Sequence, residues 1–110
     1  MLPKKLRLDL RGNNFFDQRL KKLSGVYFDV LYKKSLESSF AVIISSKHQK
    51  KASLRNYFKR VIKDEVFNFY KVRKPLEGKQ AVFICKKPLN KSNSKLVRED
   101  IMRLMTQLFS

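Results

Sequence analysis

Residues 45–65 read SSKHQKKASLRNYFKRVIKDE, and the spacing of this stretch predicts a helix that begins at Ala52 or Ser53 and runs to Tyr70. Leu54, Phe58, Val61, Ile62 and Phe69 recur at helical intervals and share one side. Arg55, Asn56, Lys59, Arg60 and Lys63 share the other. At about 100° per residue, the centres of the two stripes lie roughly 150° apart. The helix can therefore bury one face while presenting dense positive charge on the other. That charge has two readings, an ordinary solvated face or a surface shaped to hold phosphates. The stripe carries one sign, with no glutamate at i, i+4 until its far end, and it continues into Lys47, Lys50 and Lys51. The loop bearing those lysines also delivers a helix N-terminus, whose unpaired N–H groups attract anions. Phosphate binding is the reading this pattern favours. Glu65 falls on the apolar side and needs a partner or an exposed edge.

On the N-terminal side, NNFFDQRLKKL (residues 13–23) has Phe16, Leu20 and Leu23 at i, i+4 and i+7. This predicts a short helix capped by Asn13 or Asn14 and stopped by Ser24-Gly25. Residues 26–33, VYFDVLYK, are rich in aromatic and β-branched types and predict a strand. A short polar connection, residues 35–39, leads to residues 40–46, the expected hairpin partner. Its Val42-Ile43-Ile44 run suggests burial on both faces. After the basic helix, Pro75 and Gly78 break the chain, and residues 80–87, QAVFICKK, form a third strand ended by Pro88. A last helix spans residues 92–109, with Ser92 or Ser94 as cap and an apolar stripe of Val97, Ile101, Leu104, Met105 and Leu108. The expected order is α-β-β-α-β-α, with a further short strand possible. This is one α+β domain over residues 1–110, its helices packed on a small mixed sheet.

Charge narrows the function. Twenty-six Lys and Arg against nine Asp and Glu give a net charge of +17, which calls for a polyanionic partner. Hydrophobic residues at 43% are enough for a core, so a disordered tail is excluded. The longest apolar stretch, residues 40–44, is far too short for a membrane span, and no apolar segment follows the basic N-terminus as a secretory signal would require. A soluble, cytoplasmic protein is expected. One cysteine, Cys85, excludes an internal disulfide and a cysteine-based zinc cluster.

Side chains for catalysis are scarce. His48 is the sole histidine and lies in the basic loop, where it reads as solvated rather than as a general base. Cys85 sits mid-strand and reads as a small buried side chain. Asp64-Glu65 and Glu99-Asp100 are neighbours on helices, diverging by about 100°, so neither pair clamps a metal. Three glycines leave no phosphate-cradling loop. No catalytic residue and no metal ligand is expected in the protein itself. Phe15, Phe16, Tyr27, Phe28 and Tyr32 could stack on unpaired bases or fill the core, and composition alone favours the core.

Residues 46–60, SKHQKKASLRNYFKR, resemble the signature of the bacterial ribonuclease P protein subunit. In that family a strand ends in Ser-Lys-Lys, a glycine-containing turn follows, and a helix opens on an Arg-Asn-Arg pattern. Ser46, Lys47, Ala52, Arg55, Asn56, Lys59 and Arg60 coincide with it without gaps. Lys50 stands where the turn glycine would be, and Tyr57 replaces the third residue of the triplet. More weakly, MLPKKLRL, NFFDQRLKK and QAVFICKKP resemble the family's start, first helix and ending. The resemblance implies a ribosomal-protein-like sandwich with a left-handed βαβ crossover through the basic helix. It implies a partner, a catalytic RNA subunit that holds magnesium and removes the 5′ leader from precursor tRNA, while the protein itself holds no cofactor. Lys47, Lys50, Lys51, Arg55, Asn56, Lys59, Arg60 and Lys63 would face RNA, and Phe16, Leu20 and Tyr32 would line a cleft for the leader. Neither DNA nor membrane is an expected partner. A ribosomal or other structural RNA-binding protein is the alternative.

Overall fold

The computed structural model describes residues 2–11 and 15–109. Four strands, β1 (Lys21–Ser24), β2 (Phe28–Ser35), β3 (Ser39–Ile43) and β4 (Gly78–Cys85), form one sheet in the order β1-β2-β4-β3. Two helices, α1 (Ala52–Arg73) and α2 (Ser94–Leu108), pack together on one face. The core lies between that face and the helices. Phe28, Val30, Ala81 and Phe83 reach it from the sheet, Phe58, Ile62 and Val66 from α1, and Val97, Ile101 and Leu104 from α2. Burial of each larger side chain contributes about 1.5–3 kcal/mol.

Both long helices form where the apolar spacing placed them. Phe58, Val61, Ile62 and Phe69 are buried on α1, and the five expected stripe residues of α2 are buried too. Glu65 is half-buried and finds its partner in Arg98 of α2, at 3.8 Å. The cap of the second helix lies further out than expected. Asn90 and Asn93 form a capping box around a single 3-10 turn, Lys91–Asn93, that feeds into α2.

The sheet corrects two expectations. β2 and β3 are not a hairpin, because β4 lies between them, antiparallel to β2 and parallel to β3. The chain therefore runs along β3, crosses through α1 and returns in β4, a βαβ unit. β4 carries the continuous apolar run of a central strand, with Ala81, Val82 and Phe83 fully buried. The Val42-Ile43-Ile44 run belongs instead to an edge, where Val42 and Ile43 are half-buried. The N-terminal segment shields the start of that edge: Leu8 N–H donates to Phe40 O at 2.8 Å, and Arg7 bridges Phe40.

The second correction lies at the N-terminus. In place of a helix over residues 13–23 there is a 3-10 turn, Phe15–Asp17, and then β1, paired antiparallel with β2 from Lys21↔Tyr32 to Ser24↔Asp29. The expected caps Asn13 and Asn14 lie outside the described residues. Leu23 packs on the core from a strand, and pairing with β2 overrides the weak local helical spacing. Ser24-Gly25 thus begins a hairpin turn rather than ending a helix. Gly25 N–H donates to Phe28 O at 2.8 Å, and a Cβ at Gly25 would lie 2.8 Å from both carboxylate oxygens of Asp100.

α1 ends on Lys74, which adopts the left-handed conformation (φ 45°) and donates its N–H to Tyr70 O at 2.9 Å. A side chain in that conformation costs roughly 1–2 kcal/mol, and glycine relieves it. Lys74→Gly should raise stability by about 1 kcal/mol in urea unfolding, after allowing for the greater freedom of the unfolded glycine. An unchanged or lowered midpoint would show that the C-cap is not strained.

Candidate RNA-binding surface

The basic face of α1 starts in the loop before it. Ile44 ends buried, and the chain then turns through residues 45–51 with its lysines outward: Lys47, Lys50 and Lys51 are all exposed. Side chains from the loop and the helix hold this turn. Gln49 accepts from the Lys51 N–H at 3.0 Å and donates to Leu89 O at 2.6 Å, while Leu89 N–H donates to His48 O at 3.1 Å. The loop is thereby clamped to the segment after β4. Arg55 reaches back and donates through Nη1 to Gln49 O (2.9 Å) and Lys50 O (3.0 Å). It is a brace for the loop, with one terminal nitrogen turned inward. His48, expected to be solvated, is half-buried in the clamp.

Lys50 needs no glycine conformation. Among the described non-glycine residues, Lys74 is the one with positive φ, so the turn holds a lysine without left-handed strain. Tyr57 is half-buried, edge-on to Phe58 at 5.2 Å, and the Lys91 ammonium lies 5.5 Å from its ring centre. A cation from the segment after β4 thus stands over the tyrosine. Further along, Asn56 and Arg60 are exposed, and Lys59 and Lys63 are half-buried. Lys63 titrates below the usual lysine value because its ammonium is partly buried and because the Arg7 and Lys59 charges adjoin it. Lys51, the N-cap, makes no side-chain cap, and the first turn of α1 carries no acidic residue. Every feature of this face favours an anion.

The expected leader-cleft residues do not converge. Along β2, Phe28, Val30 and Tyr32 point to the helices, whereas Asp29, Leu31 and Lys33 point to the opposite, helix-free face. Tyr32 is half-buried against the core, with the Lys79 ammonium 5.4 Å from its ring centre. Lys33 donates to the Gln18 side chain, which brings the segment after the 3-10 turn to the helix-free face. Phe16 and Leu20 flank Gln18. Phe16 is half exposed and edge-on to buried Phe15 at 5.3 Å, and Leu20 is half-buried. Tyr32 therefore lies on the opposite side of the sheet from the Lys33–Gln18 bond. Leu31 and Lys22, paired across β1 and β2, lie on the helix-free face and were missed from the sequence. A helix predicted over residues 13–23 hides that pairing.

Asp29, also on this face, bonds Lys86 at 2.9 Å and Lys22 at 3.6 Å. Burial opposes its ionisation, but Lys86, Lys22 and Ser24 outweigh that and hold its carboxyl below the usual range. Cys85 is buried as expected, and burial raises its thiol above the ordinary value, against a smaller opposing effect of the Lys87 backbone. Among the described residues, no three His, Cys, Asp or Glu gather where a metal could be held, and no helix is long and apolar enough to cross a membrane.

The comparisons with known proteins agree with this geometry. No curated protein sequence matches. Among solved structures, the ribonuclease P protein from Thermotoga maritima is similar at 28% identity and a TM-score of 0.68, over 92% of this chain and 96% of that one. The family model for ribonuclease P matches residues 2–108. With nearly its whole length matched in sequence pattern and in fold, the chain belongs to the ribonuclease P protein family.

Proposed function

We propose that this subunit binds the catalytic RNA of ribonuclease P through the basic face of α1 and its preceding loop, and assists removal of the 5′ leader from precursor tRNA. The observation that carries the reading is the one-signed surface from Lys47 to Lys63, held in shape by the Arg55 and Gln49 bonds. Exposed Lys47, Lys50, Lys51, Asn56 and Arg60 would meet phosphates and riboses directly, with Lys59 and Lys63 at the flank. The leader would lie on the helix-free face, between Phe16 and Leu20 and the Lys22–Leu31 row, with Tyr32 supporting the sheet from beneath.

Two of the more buried carboxylates are already engaged within the fold. Asp100 is filled by three backbone N–H groups and Arg103, and Asp29 is engaged by two lysines. Magnesium, which activates water and stabilises the leaving oxygen, would belong to the RNA. The protein's own residues bind, orient and neutralise. Rigorously RNA-free protein should leave precursor tRNA intact, and adding a ribonuclease P RNA with magnesium should release the leader. Robust cleavage by the protein alone would overturn this reading.

A further inference from the structure

The C-terminal end of α1, away from the Lys47–Lys51 loop, carries the most exposed large apolar side chains among the described residues. Leu36, between β2 and β3, and Leu76, between α1 and β4, are fully exposed at 100% and 104%. Val72, in the last turn of α1, is exposed at 79%. The two leucines stand together. Gly78 pairs with Ser35 where β4 meets β2, and a Cβ there would lie 2.5 Å from Ser35 O and 2.8 Å from Leu36 O. The two loops are thus pressed against each other. A cavity of about 250 Å³ opens between them, with Lys5, Leu36, Tyr70, Pro75 and Leu76 among the residues that line it. A second cavity, of about 480 Å³, continues over Leu6, Tyr70 and Phe67 to Lys71 and Lys74. The Lys71 ammonium lies 4.8 Å from the Phe67 ring centre, so cation and apolar surface alternate along this end.

Exposed Lys5, Lys34, Lys71, Arg73 and Lys74 outnumber Glu37 and Glu77 here, so charge favours an anionic partner. The leucines narrow the choice further. RNA would satisfy the lysines and leave two aliphatic side chains in water. An acidic protein would need a cleft shaped to two protruding tips. A lipid interface needs none, because acyl chains part around each leucine while headgroup phosphates meet the cations. We infer that Leu36 and Leu76 dip into the interface of an anionic lipid surface, with Lys5, Lys71 and Lys74 against its headgroups. Attachment of this kind lies on the membrane and needs no crossing helix. No membrane partner is expected from the sequence, where each leucine is a single apolar residue beside a glutamate in a short connection. Only the fold brings the two together. α1 has 22 residues and is about 33 Å long, so the docked end stands far from Lys47–Lys51 and leaves that loop free for RNA.

A chain of net charge +17 adsorbs to anionic vesicles by charge alone, so the test must isolate the leucines. The full chain is mixed with phosphatidylcholine vesicles that carry a minor share of phosphatidylglycerol, and binding is read by co-sedimentation. Leu36→Ser, and independently Leu76→Ser, should each weaken binding about tenfold, the lost transfer of one leucine side chain. Leu96→Ser, half exposed near the start of α2, should leave it unchanged. Lys71→Gln together with Lys74→Gln should lower it about thirtyfold, and vesicles of phosphatidylcholine alone should bind far more weakly. Depth is read separately. The chain has no tryptophan, so Leu36→Trp and Leu76→Trp each place a single fluorescent reporter at a tip. Both should shift to the blue on adding the anionic vesicles, whereas Leu96→Trp should not. Undiminished binding by both serine variants, with the tip reporters unshifted, would show adsorption through charge alone and overturn the inference. Equal binding to vesicles without phosphatidylglycerol would overturn the anionic requirement. A blue shift that grows with protein concentration in the absence of lipid would assign this end to a second copy of the chain instead.

Discussion

Raising monovalent salt from about 50 to about 200 mM should weaken binding to ribonuclease P RNA by about a thousandfold. The size follows from counterion release. Each lysine or arginine that meets a phosphate frees condensed cations, and the gain from freeing them shrinks as bulk salt rises. Six to eight contacts give a log–log slope of roughly −4 to −7, depending on duplex character. The exposed residues from Lys47 to Arg60, with Lys63 and Arg7 at the flank, can supply that number. Arg60→Ala should flatten the slope by about one contact, since Arg60 is exposed and lies on the charged stripe. Arg55→Ala should behave differently. Its Nη1 holds the Gln49 and Lys50 carbonyls, so its loss should loosen the loop and lower affinity by more than one contact accounts for. Filter binding over a salt series measures both. A slope near zero would rule out the electrostatic account.

The basic helix and the last helix were legible because each has a full amphipathic period over many residues. Long helices are where apolar spacing leaves least choice. The charged stripe was legible for the same reason, since it is the complement of the buried face. What escaped was whatever depends on partners distant in sequence. Leu20 and Leu23 suit a helix locally, yet Leu23 packs from a strand because β2 offers it a partner. The order of strands was hidden because Val42-Ile43-Ile44 and Ala81-Val82-Phe83 have the same β-rich composition, and only the fold decides which run lies in the centre. The side of the sheet that Tyr32 takes was hidden in the same way. Once β1 and β2 pair, strand alternation sends Tyr32 to the helices and Leu31 to the open face. Arg7 escaped because nothing in its own neighbourhood marks it. It becomes part of the charged surface through the bridge to Phe40, more than thirty residues away.

Asp100→Ala should be among the most destabilising single changes in the chain, by about 3 kcal/mol. Read from sequence, Asp100 is one of two neighbouring acids on a helix. In the fold it is 2% exposed and organises the turn between β1 and β2. Its Oδ1 accepts from Val26 N–H at 2.8 Å and its Oδ2 from Tyr27 and Phe28 N–H at 2.9 and 3.2 Å, while Arg103 bonds the outer oxygen. Removing the carboxylate leaves three backbone donors and a guanidinium without this acceptor at the edge of the core. For a chain of this size the loss corresponds to a fall in Tm of about 10–20 °C. Asp100→Asn keeps one acceptor oxygen and should lose about half as much. Gly25 supplies an internal check, because its missing side chain makes room for the carboxylate. Gly25→Ala should be strongly destabilising in the unaltered chain and less so in one that already carries Asp100→Ala. The two changes together should therefore cost at least about 1 kcal/mol less than their sum. The relief is partial, because a Cβ at Gly25 also lies 2.8 Å from Phe28 O. Strict additivity in a double-mutant cycle would show that the turn is held by its own backbone and not by the acid reaching it from α2.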